Sequence, residues 1–155
     1  VARSSSDSNA GLADETLFGP AAVPAENIFA IAGDAPDLGA EAERYAALLP
    51  AQLDLLLLGM GEDGHTASLF PGASSLNERV KRVVSVVGPK PPPQRLTITP
   101  LVLDTARQTF LFVTGNGKAE VLARAFGGVD DVLPVQLTSR VTLFADTAAL
   151  SKLGP

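Results

Sequence analysis

Short runs that are apolar at successive positions, separated by stretches with helical spacing, restrict this chain more than any other feature. The clearest are Asn27 to Ile31, Leu53 to Leu58, Val83 to Val87 and Phe110 to Val113. A strand whose alternating side chains are all apolar needs cover on both faces, the condition of a parallel sheet flanked by helices. Arg95 to Thr99 alternates instead, and Val141 to Ala145 is mostly apolar, adding two further strand candidates. Between the runs, Asp37 to Leu49 places Leu38, Ala42, Tyr45, Leu48 and Leu49 on one side of a helix. Lys118 to Phe126 is a second helix, stopped by Gly127-Gly128, and Asp146 to Leu153 reads as a short third one capped by Asp146. Pro89-Lys90-Pro91-Pro92-Pro93 fits neither a helix nor a central strand and is an extended connector. The alternation predicts an α/β fold, a mostly parallel sheet with helices on both faces. A chain of 155 residues without repeats is read as one domain, 1–155.

Composition removes several chemistries. With no cysteine, disulfides, thiolate metal sites and cysteine nucleophiles are excluded, and a single histidine, His65, excludes a His-rich metal site. Net charge is −5, with Lys and Arg at 12 against 17 Asp and Glu, which argues against nucleic acid or an anionic membrane as partner. A small anion needs only two or three local cations and stays open. No segment approaches the roughly 18 consecutive apolar residues of a membrane span, and Val1-Ala2-Arg3-Ser4 does not open a signal peptide. These features lead to an expectation of a cytoplasmic protein. The first residue is Val1 rather than methionine, which suggests processing or a piece of a longer chain.

The chemistry concentrates in Leu53 to Gly72, where a buried strand runs into a glycine-rich turn and a helix is expected near Asp63. Ligands of α/β sheets bind at such carboxyl ends. Gly59-Met60-Gly61-Glu62-Asp63-Gly64 is a literal G-x-G-x-x-G, but the dinucleotide reading fails on its context. The next strand ends in Gly88 rather than a ribose-binding acid, and Glu62 and Asp63 would repel a pyrophosphate. Gly59, Gly61 and Gly64 instead bring backbone N–H groups toward a ligand. The imidazole of His65 has an unperturbed pKa of about 6.5, suited to proton transfer near neutrality, and Asp63 is placed to orient it. The alternative is a structural histidine hydrogen-bonded to backbone. Ser68 lacks the G-x-S-x-G elbow of a nucleophile and is read as a surface or packing residue.

Leu55 to Gly72, read as LLLLGMGEDGHTASLFPG, resembles the signature of the 6-phosphogluconolactonase family. Further matches are Asp7-Ser8-Asn9 with Leu17, Lys90 to Thr99, Phe112-Val113-Thr114-Gly115 with Lys118-Ala119, Leu133-Pro134, and Asp146-Thr147-Ala148-Ala149. The resemblance implies hydrolysis of 6-phospho-D-glucono-1,5-lactone to 6-phosphogluconate in the pentose phosphate pathway, without metal or organic cofactor. His65 would take the proton of the attacking water, Asp63 would orient His65, and loop N–H groups would stabilise the oxyanion. Lys118, after the turn Gly115-Asn116-Gly117, would hold the phosphate of the small phosphorylated lactone, the expected partner. Arg95 is a second candidate for the phosphate or ring oxygens, against a solvated arginine at a strand start.

The related glucosamine-6-phosphate deaminases share the Asp-Gly-His core but carry a glutamate five residues after the histidine. Here that position is Phe70, which cannot relay a proton. The resemblance also implies that the chain matches the C-terminal two-thirds of the family, its first strands and an N-terminal phosphate loop being absent. Two classes of function remain: an enzyme completed by a further segment, or a non-catalytic fragment that binds sugar phosphates.

Overall fold

The computed structural model describes residues 1–127 and 133–154. Among these residues five strands form: β1 (Leu56–Gly59), β2 (Val83–Val87), β3 (Gln94–Ile98), β4 (Thr109–Val113) and β5 (Val141–Ala145). Four α-helices accompany them: α1 (Asn9–Ala13), α2 (Leu38–Leu48), α3 (Pro100–Thr105) and α4 (Ala119–Phe126). A parallel sheet of three strands has the order β1-β4-β5, with Leu56 opposite Thr109 and Thr109 opposite Val141. The expected α/β class and parallel sheet are both present.

The other two strands pair only with each other. β2 and β3 form an antiparallel hairpin from Val83 opposite Ile98 to Val87 opposite Gln94. Its loop holds the proline-rich connector and is closed by the Gly88 N–H donating to Pro93 O at 2.7 Å. Helix α2 packs on this hairpin. Arg82 reinforces the contact by donating to Leu49 O at 2.9 Å and to Pro50 O. Asp37 caps α2, accepting from the N–H groups of Gly39 and Ala40.

The parallel sheet buries one face. Leu56, Leu58, Leu111 and Val113 point into a core shared with Val121, Leu122 and Ala125 of α4, with Leu103 of α3, and with Leu133 and Val135. Their alternate neighbours point the other way: Leu57 is 54% exposed, Phe112 47% and Phe144 43%. The rings of Phe112 and Phe144 stack at 5.1 Å, and Phe110 meets Phe144 edge-on at 5.0 Å. Among the described residues these side chains of the second face stay about half exposed.

Several local expectations also change. Asn27 to Ile31 is not a strand, because its neighbourhood offers side chains rather than a ladder. Glu41 accepts from the Ala32 N–H at 2.7 Å, and Arg44 donates to Ala30 O at 3.4 Å. β1 starts at Leu56 rather than Leu53, whose carbonyl accepts from the Arg107 N–H. No helix starts near Asp63, since Gly64 and Ala67 have φ of 82° and 50°, left-handed values that interrupt helical winding. Asp146 to Leu153 forms turns rather than a helix. Gly127 ends α4 with its N–H on Ala123 O at 2.7 Å, while Gly128 lies outside the described residues. No helix among the described residues is long and apolar enough to cross a membrane.

Candidate active site

The turn after β1 is built by hydrogen bonds that the glycines allow. Gly61 N–H donates to His65 O at 2.8 Å, and Gly64 N–H to Gly61 O at 3.1 Å. Thr66, 1% exposed, donates its hydroxyl to Gly59 O at 2.9 Å and ties the far side of the turn to the strand end. Gly64 is left-handed and packs tightly, with Leu133 and Val121 methyls 3.1 Å from where a β-carbon would stand. Gly61 has a different constraint: a methyl there would overlap the His65 ring.

These bonds deliver the imidazole to the carboxylate. His65 Nδ1 lies 2.6 Å from Asp63 Oδ1, and the His65 backbone N–H donates to the same oxygen at 3.2 Å. Partial burial pushes the Asp63 carboxyl upward, but the ring and backbone N–H of His65 outweigh this and hold it below its ordinary value. An ionised carboxylate only accepts, so Nδ1 is the donor of this bond, and it is in the neutral ring that Nε2 is left with a lone pair. The side chain is a quarter exposed and borders a cavity. A neutral imidazole held by a carboxylate in this way is able to act as a general base.

Beside this pair lies a cavity of about 560 Å³, bordered by Gly59, Met60, Gly61, His65, Ala67, Lys118 and Asn9. Lys118 ends the short turn Asn116–Lys118 before α4, and its Nζ donates to Met60 O at 2.5 Å. One ammonium proton is thus committed to the loop that follows β1. Asp146 braces this loop by accepting from the Gly115 N–H at 3.0 Å, while also accepting from the Ala149 N–H at 2.7 Å.

The structure brings together His65, Asp63, Lys118, Gly59 and Gly61, and separates the rest. Gly64 packs against Leu133 and Val121 instead of lining the cavity. The N–H groups of Gly61 and Gly64 are used within the turn, which corrects the expectation that they face an oxyanion. Arg95 borders a neighbouring cavity with Ser68 and Asn9. Its guanidinium donates to the carbonyls of Pro92, Lys90 and Pro91 at 3.0, 3.2 and 3.4 Å. Ser68 is held through its N–H, which donates to Thr97 Oγ1 at 3.0 Å, in keeping with a packing residue. Sequence reasoning gave Asn9 no role, although it borders both cavities; only its place in the Asp7-Ser8-Asn9 segment marked it. Among the described residues no group of three or more histidines, aspartates or glutamates could hold a metal ion.

Comparison with known proteins identifies relatives of the chain. Residues 1–145 match the family described as glucosamine-6-phosphate isomerases/6-phosphogluconolactonase. The chain is 40% identical to a probable 6-phosphogluconolactonase 2 of Arabidopsis thaliana, covering 95% of this chain and 65% of that protein. It is 37% identical to a probable chloroplastic 6-phosphogluconolactonase 3 of Oryza sativa subsp. japonica, covering 99% of this chain and 54% of the other. The chain thus spans between half and two thirds of these relatives. The solved 6-phosphogluconolactonase of Trypanosoma brucei superposes with a TM-score of 0.80 at 27% identity, over 99% of this chain and 71% of that one. This chain belongs to the glucosamine-6-phosphate isomerase/6-phosphogluconolactonase family.

Proposed function

We propose that this chain, as one domain over residues 1–155, carries the base and the phosphate-binding lysine of a 6-phosphogluconolactonase. The observation that carries the reading is the Asp63–His65 pair, 2.6 Å apart, beside a cavity that Lys118 also borders. A water held at Nε2 gives its proton to the ring as its oxygen bonds to the lactone carbonyl carbon. The tetrahedral intermediate then collapses, the bond from that carbon to the ring oxygen breaks, and the imidazolium returns the proton to the departing oxygen. The products are a carboxylic acid, which ionises, and a free hydroxyl, so the acyclic phosphogluconate leaves with the histidine restored. A δ-lactone is reactive enough to need no covalent enzyme intermediate. Phe70 in place of a carboxylate disfavours the deaminase chemistry also found in the family, because a hydrocarbon ring moves no proton.

His65→Asn should lower kcat by about 10²–10⁴ with little change in KM, the range for loss of a general base. Lys118→Ala should raise KM for the phosphorylated lactone and leave the unphosphorylated δ-lactone unaffected. Near-normal kcat in the His65 variant overturns the assignment. Binding of 6-phosphogluconate that depends on Lys118, with no turnover by the unsubstituted chain, favours the non-catalytic reading. We place the reaction in the cytoplasm; a dianionic sugar phosphate does not cross a bilayer unaided, so the enzyme must share its compartment. A plastid pool is the alternative that cell fractionation distinguishes.

A further inference from the structure

Phe70, 6% exposed, follows His65 by five residues and returns to pack against it. The two ring centroids are 4.8 Å apart, with planes tilted by 43°. The Arg95 guanidinium stands over the same phenyl ring, 5.7 Å from its centroid. Arg95 is itself fixed by the three carbonyls of the proline-rich connector. Gly88 leaves room for the stack: a β-carbon there would lie 2.9 Å from the Phe70 ring and 3.1 Å from Arg95 Nε. A continuous line of contacts therefore runs from the β2–β3 connector through Arg95 and Phe70 to the imidazole. One hydrogen bond at Nδ1 fixes a point on the imidazole but leaves the ring able to swing about it. A packed neighbour is needed to fix the plane in which Nε2 is presented.

We propose that Phe70 is a positioning residue for His65, and that Arg95 acts through Phe70 rather than on the substrate phosphate. The functional part of this inference rests on the reading of His65 as the base. Its structural part does not, because His65 is the sole histidine and its ring signals can be assigned in an NMR spectrum without ambiguity.

The test compares Phe70→Leu, Arg95→Met and the double variant in the chain. In each, the His65 ring proton signals should lose their aromatic ring-current displacement, wholly in Phe70→Leu and partly in Arg95→Met. Kinetically, Phe70→Leu should lower kcat about tenfold with KM unchanged, in line with the large cost of small misplacements of a catalytic group. Arg95→Met should lower kcat less, equally for phosphorylated and unphosphorylated lactones. The double variant should be no slower than Phe70→Leu alone, since both act on one contact line. A rise in KM confined to the phosphorylated lactone in Arg95→Met would overturn the proposal and restore Arg95 as a phosphate ligand. Unchanged His65 ring signals in Arg95→Met would overturn it as well, and that arm decides if Phe70→Leu does not fold. Displaced signals in a chain without lactonase activity would support the packing inference while refuting the function.

Discussion

A methyl group on Gly61 would take the space of the imidazole and come within 2.7 Å of Asp63 Oδ1, yet Gly61 has no left-handed backbone to lose. Gly64, three residues on, is left-handed at φ 82° and has close apolar neighbours. The two positions should fail differently. Gly61→Ala is expected to lower kcat tenfold or more with a nearly unchanged melting temperature, because the ring and carboxylate must move apart. Gly64→Ala should cost stability, about 1–2 kcal/mol from the left-handed backbone alone. Parallel measurement of kcat and thermal unfolding checks both; equal loss of activity and stability in Gly61→Ala would show that the turn, not the base, was damaged. The glycine pattern, His65, Asp63 and Lys118 were legible in the sequence. Which amides stay free was not, because that depends on where each carbonyl of the folded turn points. Phe70 was read only as a missing carboxylate, since nothing in one dimension says that Arg95 lies on its other contact surface.

At the scale of elements, the apolar runs located most of the strands, and Asp37 and Gly127 marked the limits of α2 and α4. Asn27 to Ile31 failed because a strand is defined by its pairing: the Asn27 and Ile28 N–H groups turn back to the Pro24 and Ala25 carbonyls, and Ala30 O accepts from Arg44. Glu41 is 7% exposed and accepts from Arg44 Nε and Nη2 at 2.6 and 2.7 Å as well as from Ala32. The Arg44 hydrogen bond is the main influence, opposed by burial and aided by Ala32, and together they hold the Glu41 carboxyl below its ordinary value. A carboxyl depressed in the folded state adds stability above its unfolded pKa of about 4.3 and loses it as pH falls through the folded value. Glu41→Gln should therefore cost about 1 kcal/mol at neutral pH, typical of one hydrogen bond, and the difference from the unsubstituted chain should shrink below about pH 4. Thermal melts across pH 3 to 7 read this directly, and a difference constant over that range would contradict the assignment.

Taken whole, the molecule has strands suited to a doubly covered sheet, with one face buried and the other about half exposed. Leu57 and Phe112 alternate with the buried Leu56, Leu58, Leu111 and Val113, and Phe144 lies beside Phe112 on the next strand, so the near-continuous apolar runs are real in sequence but only half satisfied by the described residues. Apolar runs report what the assembled sheet requires, not which segment supplies a layer over its half-exposed face. The chain also spans 65% of its Arabidopsis relative, so the length that could provide such a layer is available in the family. Contiguous aromatic surface of this kind binds apolar dyes and promotes association. The purified chain should enhance the fluorescence of an anilinonaphthalene sulfonate dye while keeping a cooperative unfolding transition. Replacing Leu57 and Phe112 with threonine should reduce that signal at little cost in stability, because neither side chain is buried. Leu111→Ala, fully buried on the opposite face, should instead cost about 2–5 kcal/mol. Weak dye binding by the unsubstituted chain, or a large stability loss from the Leu57 and Phe112 changes, would mean that this face is covered in solution.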